Sequence, residues 1–476
     1  MFLPATLAQA QRGKGLQFDD QAYATDLTLP TYGSGSKFGE LPLRKNLEAY
    51  APYPGDQGYN GSCVGWAVGY AAYSIERAVR ENNTDRAKIT EKAYSAMYIY
   101  NNIRVGDCPD GAVISDAFEF LAANGDCFYT QFNPEDCTQD PDNYLRTLAE
   151  DHRIETYMTI FEFDAEPEMK VFRTKQMIAQ DKPVAIGMML RANFDALDAD
   201  DEYWDPYAGD TRYTGGHAMC VVGYDEARKA FRIMNSWGRA WGQDGFIWVK
   251  YDAYGEFCKY GYAMHLGDAP SPEPDQPQDE QPEVSLSGRF AFRYPIPGNS
   301  DQIMFENAVP RWIGDHYELE RTDWHVGDLF QLVAMNTKAN EYIYVFSLDP
   351  TNKPNIHWPR QASLGFSNFF GMNEVPLNPI PNSEIVIPGE ETALQLAHPG
   401  SDYLCVLFSS KRIDDFEDIV RTVQNRQGGF MERLASALGT RMIPQSDIRF
   451  DNSSMQFSAR STRGHIVPLV LKVIAN

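Results

Sequence analysis

Cys63 sits in the run Asp56-Gln57-Gly58-Tyr59-Asn60-Gly61-Ser62-Cys63-Val64-Gly65-Trp66-Ala67, where a tight glycine-rich turn delivers a thiol to the first turn of a helix. Unpaired backbone N–H groups and the positive end of the helix dipole stabilise an anion there, so such a cysteine can be a nucleophile near neutral pH. A second group, Gly215-Gly216-His217-Ala218-Met219, follows, and Asn235-Ser236-Trp237-Gly238 comes after it. Thiol, imidazole and carboxamide in this order are the parts of nucleophilic acyl transfer. His217 takes the Cys63 proton to give a thiolate–imidazolium pair, and Asn235 fixes the ring.

These residues need two kinds of support. The Cys63 helix is expected to be amphipathic, with apolar positions Val68, Ala71, Ala72, Ile75 and Val79, and to run to about Glu81. Further helices are predicted over Thr90–Ile103 with Thr90 as cap, over Ser115–Asn124 closed by Gly125, and over Glu166–Gln180. From Pro183 the pattern changes to strands: Pro183–Leu190, Ala218–Gly223, Phe231–Met234 and Gly245–Lys250. A helical half followed by a strand-rich half predicts a two-lobed α+β fold. Cys63 comes from the first lobe, His217 and Asn235 from the second.

With Gln57 ahead of the thiol, Gly61-Ser62-Cys63, Gly216-His217-Ala218 and Asn235-Ser236-Trp237-Gly238 running into Trp241-Gly242 and Gly245-Phe246, residues 41–266 resemble the papain-like (C1) cysteine peptidases. The wording Cys63-Val64-Gly65-Trp66-Ala67, without an aromatic directly after the cysteine, looks like bacterial branches of that family. The resemblance implies a catalytic set of Cys63, His217, Asn235 and Gln57. The Gln57 side chain and the Cys63 backbone N–H would hold the oxyanion, and Trp237 would shield the His217–Asn235 hydrogen bond. It also implies Gly111 and Gly216 as substrate-binding positions, with Gly111 pairing with the substrate backbone and Asp110 standing where the family has another glycine. Trp66 is expected in the core, while Val113 and Ala218 are candidates for an apolar substrate pocket. Asn60 stands where relatives carry a bridging cysteine, so that bridge is absent. Of the seven cysteines, Cys108, Cys127 and Cys137 lie close enough for one local disulfide, and Cys108 with Cys137 is the expected pair. The reaction needs no cofactor and no metal.

At 476 residues the chain is expected to hold two domains. The net charge of −24 argues against nucleic acid or an anionic membrane as main partner, because both need a basic surface. The start, Phe2 to Ala10, looks like the tail of a secretory signal with Ala8-x-Ala10 as cleavage site, which places the protein outside the cytoplasm. Residues 1–40 form a leader, polar and glycine-rich beyond residue 10, and no inhibitory helical segment of the family's usual size precedes Cys63. The leader is expected to be a loose strap on the domain surface, with a course across the groove as the alternative. Asp195, Asp198, Asp200, Asp201, Glu202, Asp205 and Asp210 crowd a loop before His217 and read as a solvated loop at the rim of the cleft, one that could favour basic peptides.

Residues 267–284 are an acidic, proline-rich linker. Beyond it, residues 285–476 carry short β runs, including Leu329–Met335, Tyr342–Leu348, Tyr403–Ser409 and Ile466–Ile474, with a helical insertion near 416–438. This part resembles a bacterial β-sandwich module of unknown function attached to enzymes. Its histidines are scattered, and a binding or tethering role is expected for an unidentified ligand or partner. Three functions are compatible with the whole: an endopeptidase acting on proteins or peptides, a thiol acyltransferase or amidase on the same residues, and a binding protein whose site is closed by the leader or the acidic loop.

Overall fold

The computed structural model describes residues 12–267, 283–297, 304–368 and 371–476. The suggested signal remnant and most of the linker lie outside the described residues. The chain forms two compact units, one built from residues up to Asp26 together with Leu41–Gly267, the other from Leu27–Glu40 and the residues from Asp268 on. The leader is therefore divided between two units instead of forming one strap. Within the second unit Thr28 N–H donates to Asn373 O at 2.9 Å and Gly33 N–H to Glu384 O at 2.8 Å, so residues 27–40 satisfy their backbone there.

The first unit carries, in order, β1 (Leu16–Gln17), α1 (Asp20–Thr25), β2 (Arg44–Asn46) and α2 (Cys63–Gly65). A π-helical stretch (Trp66–Tyr73) carries α2 on into α3 (Ser74–Arg80), followed by α4 (Arg86–Glu91), α5 (Ala96–Ile103), β3 (Ala112–Val113), α6 (Ile114–Asn124) and α7 (Asn143–Glu150). The strand-rich half holds β4 (Thr156–Thr159), α8 (Pro167–Ala179), β5 (Val184–Arg191), β6 (Tyr203–Trp204), β7 (Tyr213–Asp225), β8 (Ala230–Met234), β9 (Phe246–Lys250), α9 (Tyr251–Phe257) and β10 (Cys258–His265). The sheet runs β4-β10-β5-β7-β8-β9-β6, with β2 on β7 and β1 bridging β3 and β7. Helical lobe and sheet together give the predicted α+β architecture.

Two local expectations change. The Cys63 helix is not amphipathic: every residue from Cys63 to Glu76 is buried. Small residues make that possible, since a side chain at Gly65 would run into the Ala96 backbone of α5 and one at Gly69 into Ile99. A helix buried on all sides needs no polar face. The helix predicted over Thr90–Ile103 is two helices, because the Ser95 side chain caps α5 by accepting from Tyr98 N–H while Ser95 N–H donates to Cys127 O at 2.9 Å.

The second unit contains two seven-stranded sheets. Phe290, Phe292 and Leu332 of one and Val345, Val406 and Leu469 of the other belong to a single apolar core. The long strand Val284–Ile296 lies at the centre of the first sheet and was not among the predicted runs. The helical insertion is a pair, Phe416–Asn425 and Phe430–Leu438.

Candidate active site

Cys63 opens α2, and Gly61 N–H donates to Cys108 O at 2.8 Å, which ties the turn before the thiol to the loop carrying Gly111. The Cys63 sulfur accepts from Ala218 N–H at 3.5 Å, so β7 brings the residue after His217 against the thiol. His217 Nε2 lies 2.7 Å from Asn235 Oδ1, which also accepts from Ser236 N–H at 2.8 Å. This pairing makes Nε2 the protonated nitrogen and leaves Nδ1, which has no hydrogen-bond partner among the described residues, as the base. Trp237 covers the ring, with centroids 4.8 Å apart, and Phe194 packs on Trp237 at 5.5 Å.

Gln57 is clamped. Its N–H donates to Ser236 O at 2.9 Å, its Oε1 accepts from Ser236 Oγ at 2.6 Å, and its Nε2 donates to Asn60 O at 2.8 Å. One hydrogen of that amide stays available for an oxyanion. Ser236, which orients the whole group, was not singled out from the sequence, although it lies inside the Asn235-Ser236-Trp237-Gly238 motif.

Cys108 and Cys137 form a disulfide, and Cys63, Cys127, Cys220, Cys258 and Cys405 are free and buried. Among the described residues, the one group with ligand atoms close enough for a metal is Cys108, Asp136 and Cys137, and its two sulfurs are joined in that disulfide. Trp66 is buried and packs at a tilt against Tyr70 and Tyr129, with ring centroids 4.7 and 5.8 Å apart. Outside Asp195, the acidic residues of the 195–210 loop satisfy mostly their own turns, as in the Asp198 N–H to Asp201 contact of 2.9 Å.

The leader does not lie loosely on the surface. Residues 12–17 run through the cleft and end in the short strand β1, with Leu16 paired in parallel to Ala112 and antiparallel to Gly216. Gly13 N–H donates to Gly58 O at 3.1 Å, Trp237 Nε1–H to Gly13 O at 3.1 Å, and Ala112 N–H to Gly15 O at 2.8 Å. Glycines allow the approach: a Cβ at Gly15 would collide with the Gly61 backbone, and one at Gly111 with the Gly15 backbone. Along this wall the leader takes its hydrogen bond from Ala112. Gly111 N–H donates to Tyr100 Oη at 3.2 Å and Gly111 O accepts from Val105 N–H at 3.0 Å, so Gly111 offers bare backbone while Ala112 supplies the hydrogen bond.

Covering the thiol changes its electrostatics. Burial pushes the Cys63 thiol up to about 11, against the pull of the N–H groups of Ala218, Gly15, Val64 and Cys63 itself. Burial also holds His217 down to about 3, opposed by its hydrogen bond to Asn235 and reinforced by the charge of Lys14. In this covered state the pair is neutral, whereas the thiolate–imidazolium pair requires a hydrated cleft. Desolvation outweighs the helix terminus here.

Residues 44–265 match the family described as papain family cysteine protease. This part of the chain is a papain-like C1 cysteine peptidase domain. An uncharacterized peptidase C1-like protein of Acanthamoeba polyphaga mimivirus is 26% identical over 200 residues, covering 41% of this chain and 63% of that protein. Gamete and mating-type specific protein A of Dictyostelium discoideum is 48% identical over 42 residues, 9% of each chain. The chain thus spans less than two thirds of the length of these curated relatives. Among solved structures, xylellain, a cysteine protease from Xylella fastidiosa, is similar at 22% identity and a TM-score of 0.45, covering 54% of this chain and 96% of that one.

Proposed function

We propose that the protein is a cysteine endopeptidase held in a covered state by its own leader. Cys63 gives its proton to His217 Nδ1 and its thiolate attacks a peptide carbonyl. The Gln57 amide and the Cys63 N–H stabilise the oxyanion, the imidazolium protonates the departing amine, and water then cleaves the acyl-enzyme to a free carboxylate. The single observation that carries this reading is the hydrogen bond from His217 to Asn235, which fixes the tautomer with an unpartnered Nδ1 in the same buried site as the thiol.

The passage of residues 12–17 through the cleft favours a second reading, a binding protein permanently closed. Labelling with a peptidyl epoxide, read by intact mass on wild type, Cys63→Ala and His217→Ala, separates the two. A single adduct that is absent from Cys63→Ala and slow in His217→Ala supports the peptidase. A folded protein that never labels, even with the leader displaced, refutes it.

The Cys63-Val64-Gly65-Trp66 wording supports a bacterial type of domain. The Cys108–Cys137 disulfide supports a location outside the reducing cytoplasm. The β-rich second unit is assigned a binding or tethering role.

A further inference from the structure

Lys14 lies in the middle of the covering strand, and its ammonium is in contact distance of both oxygens of Asp195, at 2.6 and 2.7 Å, and of Thr214 Oγ1 at 2.9 Å. It also sits 5.7 Å from the centroid of Trp237. The Lys14 side chain is only 7% exposed and that of Asp195 26%, so the ion pair is largely out of water. Asp195 stands on a single helical turn, Ala192–Ala196, that follows β5, and Thr214 stands on β7 just ahead of His217. Both are set by the lobe that carries the catalytic base, and among the described residues the cation paired with Asp195 is Lys14.

A peptide that pairs with both walls of the cleft beside the nucleophile lies where a substrate backbone must lie. The side-chain sites it touches are therefore substrate sites. When the strand leaves, Asp195 remains half-buried beside a hydroxyl and an indole face without its counter-ion. That combination rewards one kind of side chain, a long cation able to reach the carboxylate while its stem lies along the Trp237 ring. The net charge of −24 adds long-range attraction for the same class of substrate.

We propose that Asp195, Thr214 and the face of Trp237 form a cation subsite selecting protein or peptide substrates with Lys or Arg next to the bond that is cut, and that Lys14 is its intramolecular occupant. The proposal rests on the peptidase reading for the word substrate, but the subsite can be tested without turnover. The full chain carrying Gly15→Val to expel the strand and Cys63→Ala to prevent reaction is titrated with a fluorescein-labelled peptide of the strand's own sequence, Arg-Gly-Lys-Gly-Leu-Gln-Phe, and with the same peptide carrying Met for Lys. Anisotropy should show the Lys peptide binding about 10- to 100-fold more tightly. Adding Asp195→Asn should collapse the preference to within about threefold. Equal binding of the two peptides, no binding of either, or a preference that survives Asp195→Asn overturns the subsite. Selective binding together with no cleavage of any Lys-containing peptide by Gly15→Val with Cys63 intact would leave the subsite standing and remove the peptidase reading instead.

Discussion

Replacing Gly15 by valine should open the cleft without touching any residue of the catalytic set. The strand is held by the hydrogen bonds of Gly13 and Gly15, by the Arg12 guanidinium on Trp237 O at 2.6 Å, and by the Lys14 ion pair. Each is worth about 1 kcal/mol net, while ordering each strand residue costs about 1–2 kcal/mol, so closure rests on a small difference between similar sums. At Gly15 a Cβ meets the backbone of Gly61, and a backbone wall cannot turn aside as a side chain can. The overpacking penalty therefore belongs at the upper end of its usual range, about 3 kcal/mol, which raises the open fraction by about 150-fold unless the cleft is already mostly open. The assay is the second-order rate of Cys63 alkylation by a peptidyl epoxide, followed by intact mass, with circular dichroism to show that the fold persists. An increase of about 10- to 150-fold is expected, and Gly15→Val/Cys63→Ala should give no adduct. A labelling rate unchanged from wild type in a folded Gly15→Val protein would refute the claim that this strand restrains the thiol.

Three further outcomes follow from the geometry. Ser236→Ala removes the hydroxyl that clamps Gln57 Oε1 and should lower kcat/KM about 10-fold in the opened protein, with little change in KM, because a loosened oxyanion donor acts on the transition state. Breaking the Cys108–Cys137 disulfide, whose partners are 29 residues apart, with paired serines should cost about 3–4 kcal/mol by the loop-closure argument and lower the Tm of the first unit accordingly. In Cys63→Ala, where no thiolate–imidazolium pair can form, acid should open the cleft. Closure lowers His217 to about 3, so between pH 6.5 and about 3 the open form of that variant binds more protons than the closed one. Closure keeps its full strength above pH 6.5 and weakens about tenfold per pH unit below it. Lys14 faces the ring and adds no compensating negative charge. Asp26, raised to about 6 by burial, acts in the opposite sense only if α1 detaches as well. Amide exchange at residues 13–17 of Cys63→Ala, corrected for intrinsic rates, should lose protection as pH falls from 6.5 to 4.5, and constant protection would contradict the assignment.

The proposed catalytic set could be named from the sequence because its chemistry dictates residue types that must appear in order: a thiol after glycines, an imidazole on a strand, and a carboxamide before a tryptophan. The strands β5, β7, β8 and β9 were legible for a similar reason, since runs such as Val184–Leu190 and Phe246–Val249 are apolar and uninterrupted. What escaped depended on contacts between distant residues. Gly13 and Gly15 read as part of a loose surface strap, yet they are the residues that allow one backbone to lie against Gly58, Gly61 and Gly111. No local period carries that complementarity.

The same cause hid the burial of the Cys63 helix. Gly65, Gly69 and Ser74 carry no apolar side chain, yet they are the points where α5 and its neighbours approach closely. The break between α4 and α5 comes from Tyr94 bridging to Phe128 and Ser95 to Cys127, both more than thirty residues away. In the second unit, Leu286, Gly288, Phe290 and Phe292 alternate with Ser287, Arg289, Ala291 and Arg293, a period of two that made this strand legible although it was not among the predicted runs. Asp195 was visible only as one of several acidic residues. Its separate role emerges from the one contact the others lack, the buried ammonium of Lys14.

The central claim is that Cys63 cleaves peptide bonds once the strand is displaced, and hydrolysis of an unstructured protein by full-length Gly15→Val tests it most directly. Fragments should accumulate with time, stop accumulating on addition of a peptidyl epoxide, and be absent when Gly15→Val is combined with Cys63→Ala. Intact substrate after incubation with a folded Gly15→Val protein whose Cys63 labels readily, or equal cleavage by the Cys63→Ala combination, would contradict the account.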